Sequence, residues 1–93
     1  MTRTIPLHDL LELLHHDEQL FEQLCDDGHL DRDAQHYTDE QAEVARVVGT
    51  LIHELDVNWP GAEVILRMRA EIMATRRQVV ELLALLQARR GND

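Results

Sequence analysis

Trp59-Pro60-Gly61-Ala62-Glu63-Val64-Ile65-Leu66-Arg67-Met68-Arg69-Ala70-Glu71-Ile72-Met73-Ala74-Thr75-Arg76-Arg77-Gln78-Val79-Val80-Glu81-Leu82-Leu83-Ala84-Leu85-Leu86-Gln87-Ala88-Arg89-Arg90 holds no proline or glycine after Gly61. Nothing in it breaks a helix, so one rod of about 46 Å is expected from Pro60 to about Arg90 at ~1.5 Å per residue. Ile65, Ile72, Val79 and Leu86 recur at heptad spacing, with Met68, Thr75 and Leu82 three positions further on. That is the pattern of a coiled-coil seam, weakened at its centre by Thr75. Leu66, Met73, Val80 and Leu83 widen the stripe, as if one edge packs on the preceding helices and the other on a partner chain. The expected dimer interface is Ile65, Met68, Ile72, Val79, Leu82 and Leu86.

Upstream, Asn58-Trp59-Pro60-Gly61 forms a corner, because the residue before a proline is pushed out of the α region. Trp59, Pro60 and Gly61 are taken as its structural residues, with Trp59 a core anchor. Before the corner, Val44, Ala45, Val48, Leu51, Ile52 and Leu55 lie on one face of a helix that Thr38 and Gln41 open as a capping box. Leu7, Leu10, Leu11 and Leu14 predict a first helix from about Pro6 to His15, with Pro6 in its first turn. A second follows from about Asp17 to Asp26, turning Leu20, Phe21 and Leu24 inward and stopping at Gly28. From Gly28 to Tyr37 the chain is polar and aperiodic, a loop or a very short hairpin. The fold class expected is all-α: a helix-turn-helix head over residues 1–58 and a long C-terminal dimerisation helix over 59–93, within one domain.

The chain has 93 residues and a net charge of −9, from nine basic and 18 acidic side chains. Residues 1–58 carry three arginines against 14 acids, a balance of −11, whereas residues 59–93 carry six against four, a balance of +2. The acidity therefore belongs to the head, whose field repels phosphate backbones and attracts cationic surfaces. With only Phe21, Tyr37 and Trp59 as aromatics, little is available for stacking on bases. Cys25 is the sole cysteine, which rules out an intrachain disulfide and a thiolate zinc cluster and fits a reducing compartment. The amino terminus lacks the apolar core of a signal peptide and the longest apolar run is Leu82–Leu86, so a cytoplasmic protein without a membrane span is expected.

The helix, turn and helix over Ile5–Leu24, followed by a short connection, Tyr37-Thr38-Asp39-Glu40 and a further helix, resemble the winged helix-turn-helix of MerR-type regulators. In such regulators the second helix and wing bring cations to DNA. Here the second helix reads Asp17-Glu18-Gln19-Leu20-Phe21-Glu22-Gln23-Leu24-Cys25-Asp26-Asp27, with no basic residue, and the wing is vestigial, with Arg32 its one cation. Phosphate contacts need cations to displace counterions, so DNA is an unexpected partner, and a MerR-like transcriptional regulator is the alternative function.

A second resemblance rests on His53-Glu54-Leu55-Asp56-Val57-Asn58-Trp59-Pro60-Gly61-Ala62-Glu63-Val64-Ile65-Leu66. A His-Glu-Leu helix end, an aromatic-Pro-Gly corner and a long helix, together with the acidic second helix, resemble the chaperone-modulator family called CbpM from about Ile5 to Arg90. The stretch Gly28–His36, rich in Asp and His, departs from that pattern. The resemblance implies binding to the J-domain of a DnaJ/CbpA-like co-chaperone and inhibition of its action with Hsp70. The partner-binding residues expected on this basis are Asp17, Glu18, Glu22, Asp26 and Asp27, facing a basic J-domain helix. Read without the resemblance, the same acids are a solvated face that keeps a small dimer soluble.

Six histidines raise the question of a metal. His8, Glu12 and His15 or His16 share one helix face by spacing, and Cys25 with His29 offers a second pair, but no set of four ligands is evident. No metal and no cofactor is expected, and His53 reads as a dipole partner at a helix end or a packed corner residue. A chain without serine, a glycine-rich phosphate loop or a nucleophile motif is not expected to be an enzyme.

Overall fold

The computed structural model describes residues 3–91. Its elements run β1 (Thr4–Pro6), α1 (Leu7–Leu13), α2 (Glu18–Asp26), β2 (His36–Thr38), α3 (Asp39–Gly49), a π-helical turn (Thr50–Glu54) and α4 (Trp59–Gly91). The chain is mostly helical, and the all-α expectation is corrected by a small antiparallel sheet. β1 pairs with β2 in the register Thr4↔Thr38, Ile5↔Tyr37 and Pro6↔His36. These strands pair across 30 or more residues of sequence, and each leads directly into a helix, α1 or α3. A three-residue strand spans barely one period of alternation. That is why the segment ending at Tyr37 reads as aperiodic.

Pro6 belongs to β1 and precedes α1 as its cap residue, so the first helix starts one residue later than expected. It also ends earlier. His15 and His16 both adopt φ of +58°, a left-handed conformation that terminates the helix and turns the chain into α2. Asp17 then caps α2, its Oδ1 accepting from the Leu20 N–H at 3.0 Å. At the other end Gly28 takes a φ of +81°, the left-handed stop anticipated for it. Thr38 and Gln41 form the reciprocal capping box at the start of α3, with distances of 2.9 and 3.1 Å.

The helix opened by Thr38 and Gln41, expected to carry an inward face as far as Leu55, is not α throughout. After Gly49 it widens into the π-helical turn, where the Leu55 N–H donates to the Thr50 carbonyl at 3.1 Å and the Val57 N–H to the Leu51 carbonyl at 2.8 Å. An extra residue in the turn shifts the phase of everything after it by about 100°. Leu55, expected to face inward, is consequently 63% exposed. Asp56 follows at a φ of +56°, and Asn58 restarts the chain as a helix by accepting the Gly61 N–H on its Oδ1 at 2.9 Å. Trp59 and Pro60 thus occupy the first turn of α4, and Trp59, expected as a core anchor, is only half-buried.

Residues through Ala62 make one compact unit and those from Glu63 a second, so the first turn of α4 belongs to the head. Leu10, Leu14, Leu20, Leu24, Leu30, Tyr37, Ala45 and Val48 form the buried core of the head. Phe21 is half-buried rather than fully inward. The Tyr37 hydroxyl lies 2.9 Å from the Asp31 carbonyl and 3.2 Å from that of Ala34. It pins the connection between α2 and β2 to the core, and burial pushes its phenol pKa up. α1 crosses α3 closely: a Cβ placed on Gly49 would stand 2.2 Å from the Leu13 carbonyl oxygen.

Candidate functional site

α2 exposes its acids along one edge because Leu20 and Leu24 are taken by the core. Positions four apart on a helix share a face. Glu18, Glu22 and Asp26 accordingly line one shallow depression with Gln19 and Gln23. These three of the five expected partner-binding residues are brought together. Asp27 lies beyond them, exposed at the C-cap. Among the described residues neither Glu18 nor Asp27 takes part in an ion pair.

Asp17 is committed to the fold. One carboxylate oxygen caps α2, and the other lies 2.9 Å from Nε2 of His53, whose ring stacks on His15 with centroids 4.9 Å apart. The helix-terminal position anticipated for His53 is therefore a bridge between the π-helical turn and the start of α2. Sequence gave no signal for it, since the two residues stand 36 positions apart. Replacing Asp17 by alanine should lower stability by about 1–2 kcal/mol, the usual cost of losing a helix cap. Asp17→Asn retains a capping oxygen and should lose less, which thermal melts of both variants would check.

Arg32, the one basic residue of the would-be wing, reaches back across the connection to α2. Its guanidinium donates to Glu22 Oε2 from Nε at 2.8 Å and also from Nη2, and to Asp26 Oδ1 from Nη2 at 2.8 Å. These bonds, Glu22 first, hold the Arg32 pKa above its ordinary value. The cation of the would-be wing is thus paired with two carboxylates of α2. On α3, Arg46 pairs with Glu43 in the same way.

The helical spacing proposed for histidine ligands does not survive, because α1 ends before His15 and His16. His8, Asp9 and Glu12 instead come together, their ligand atoms within 4.8 Å of one another on the exposed side of α1, with His8 and Asp9 paired at 2.8 Å. Cys25 is half-buried, and burial raises its thiol pKa against the opposing pull of Arg32.

On α4 the anticipated interface residues Ile65, Met68, Ile72, Val79, Leu82 and Leu86 are all exposed. Ile65, Met68, Arg69, Ile72, Met73 and Arg76 line a shallow groove along the helix. Thr75 turns its hydroxyl onto the Glu71 carbonyl at 2.9 Å, satisfying the polar group that interrupts the stripe. Among the described residues no helix is long and apolar enough to cross a membrane. No family model, curated protein or solved structure matches the chain.

Proposed function

We propose that the chain is a chaperone modulator that binds the J-domain of a DnaJ/CbpA-like co-chaperone and inhibits its action with Hsp70. The observation that supports this reading is the acidic edge of α2, where Glu18, Glu22 and Asp26 share one exposed depression. A J-domain is expected to present a basic helix to Hsp70, and an acidic surface can compete for it. The resemblance of the Trp59-Pro60-Gly61 corner and the long following helix to CbpM proteins supports the same assignment. On this reading the protein works in the cytoplasm as a homodimer paired through α4, without catalysis or cofactor.

Charges at such an interface govern mainly association rate and orientation. Raising salt should weaken the complex, because exposed pairs are screened beyond roughly 10 Å at 0.1 M ionic strength. The test is the double change Glu18→Arg with Glu22→Arg. It places two cations where the partner brings its own. It should abolish inhibition of co-chaperone-stimulated Hsp70 ATPase activity while leaving circular dichroism and oligomeric state unchanged. A double variant that inhibits as well as wild type moves the contact off α2, with Asp39, Glu40 and Glu43 on α3 as the next acidic surface to reverse.

A further inference from the structure

Two acids of α2 already hold a cation of their own chain. Arg32 lies ten residues beyond Glu22 and six beyond Asp26, yet its guanidinium is seated between both carboxylates. A planar guanidinium forks onto two acceptors where an ammonium supplies only a point charge. The pair Glu22 and Asp26 therefore displays its own recognition chemistry, with an arginine from the same chain as occupant. Resting on the modulator reading, we propose that Arg32 is a built-in competitor and that the partner docks by inserting an arginine of its own between Glu22 and Asp26.

Three features make the exchange feasible. The side chains of Arg32, Glu22 and Asp26 are 50%, 53% and 64% exposed, so the clasp is open to water and each of its pairs is weak. The connection that carries Arg32 does not depend on the clasp. Leu30 is buried on one side, and the Tyr37 hydroxyl lies within hydrogen-bonding distance of the carbonyls of Asp31 and Ala34 that flank Arg32, while Asp31 Oδ1 accepts the Asp33 N–H at 3.0 Å. Removing the arginine should thus free the carboxylates without unfolding the loop. Charge supplies the third feature. With Arg32 seated, Glu22 and Asp26 together carry one uncompensated negative charge, and with Arg32 displaced they carry both, which strengthens the attraction for an incoming cation.

The proposal fixes a sign that a merely structural Arg32 does not share. Binding of a purified J-domain, and separately of a fluorescently labelled arginine-rich helical peptide, is measured by anisotropy for wild type, Arg32→Ala, Arg32→Lys and Glu22→Gln with Asp26→Asn. Arg32→Ala should bind both probes about three- to tenfold tighter than wild type, the range set by two exposed ion pairs. Arg32→Lys should fall between them, and the neutralised pair should bind more weakly than wild type. If wild type binds the J-domain and Arg32→Ala binds it equally or more weakly, the competitor role is overturned while the modulator reading stands. If the peptide follows the expected order and neither protein binds the J-domain, Arg32 keeps its role and the choice of partner fails. Failure of both probes to distinguish Arg32→Ala from wild type overturns the proposal outright.

Discussion

Gly49→Ala should destabilise the head by about 3 kcal/mol or more, enough to unfold a domain of this size or lower its melting temperature by ~12 °C or more. The sign is informative, because glycine to alanine inside a helix ordinarily stabilises by about 1 kcal/mol. Here the added methyl would stand 2.2 Å from the Leu13 carbonyl oxygen and 3.4 Å from the His15 ring. The first of these is backbone and cannot swing aside. Relief requires α1 and α3 to separate, and with them the buried Leu10, Leu14, Ala45 and Val48 that lie on the two elements and their boundary. Thermal unfolding followed by circular dichroism measures the effect. A variant as stable as wild type would mean that α1 does not cross α3 at Gly49.

Ile72→Asp is expected to break the proposed homodimer. Ile72 is 51% exposed midway along the apolar stripe of α4, with Ile65 and Val79 one heptad away on either side. A contiguous apolar stripe of this length is unusual on a soluble monomer, and two chains pairing along it would bury it. An aspartate in that seam leaves an unpaired carboxylate in each partner, which costs several kcal/mol and weakens association by more than ~100-fold. Multi-angle light scattering should show a wild-type dimer and a monomeric or unfolded variant at micromolar concentration. A wild-type monomer would remove the paired helix from the proposed function, though not the acidic face of α2.

The parts of the fold legible in the sequence are those with local signatures. Thr38 and Gln41 announced α3, Asp17 and Gly28 bounded α2, and the unbroken run after Gly61 gave α4 almost to its last residue. Local signals failed where the structure is made by distant residues. Ile5 meets Tyr37 in a sheet too short to show alternation, and the π-helical turn keeps helical composition while changing phase, so an unbroken helical period puts Leu55 on the wrong face. The candidate site divides the same way. The acid run and the resemblance single out Asp17, Glu18, Glu22, Asp26 and Asp27 together, and the structure gathers Glu18, Glu22 and Asp26 in one depression. The diversion of Asp17 to His53 and the clasp of Arg32 depend on packing and left no trace in composition.

The most direct measurement of the proposed function is the steady-state ATPase rate of Hsp70 stimulated by a DnaJ/CbpA-like co-chaperone, recorded while the wild-type protein is titrated in at low and at moderate salt. Binding of the acidic α2 edge to the J-domain predicts that stimulation falls to the unstimulated rate at stoichiometric protein, with Hsp70's own basal rate untouched and the curve shifting to higher concentration as salt rises. A stimulated rate that stays constant at saturating protein in low salt would contradict it.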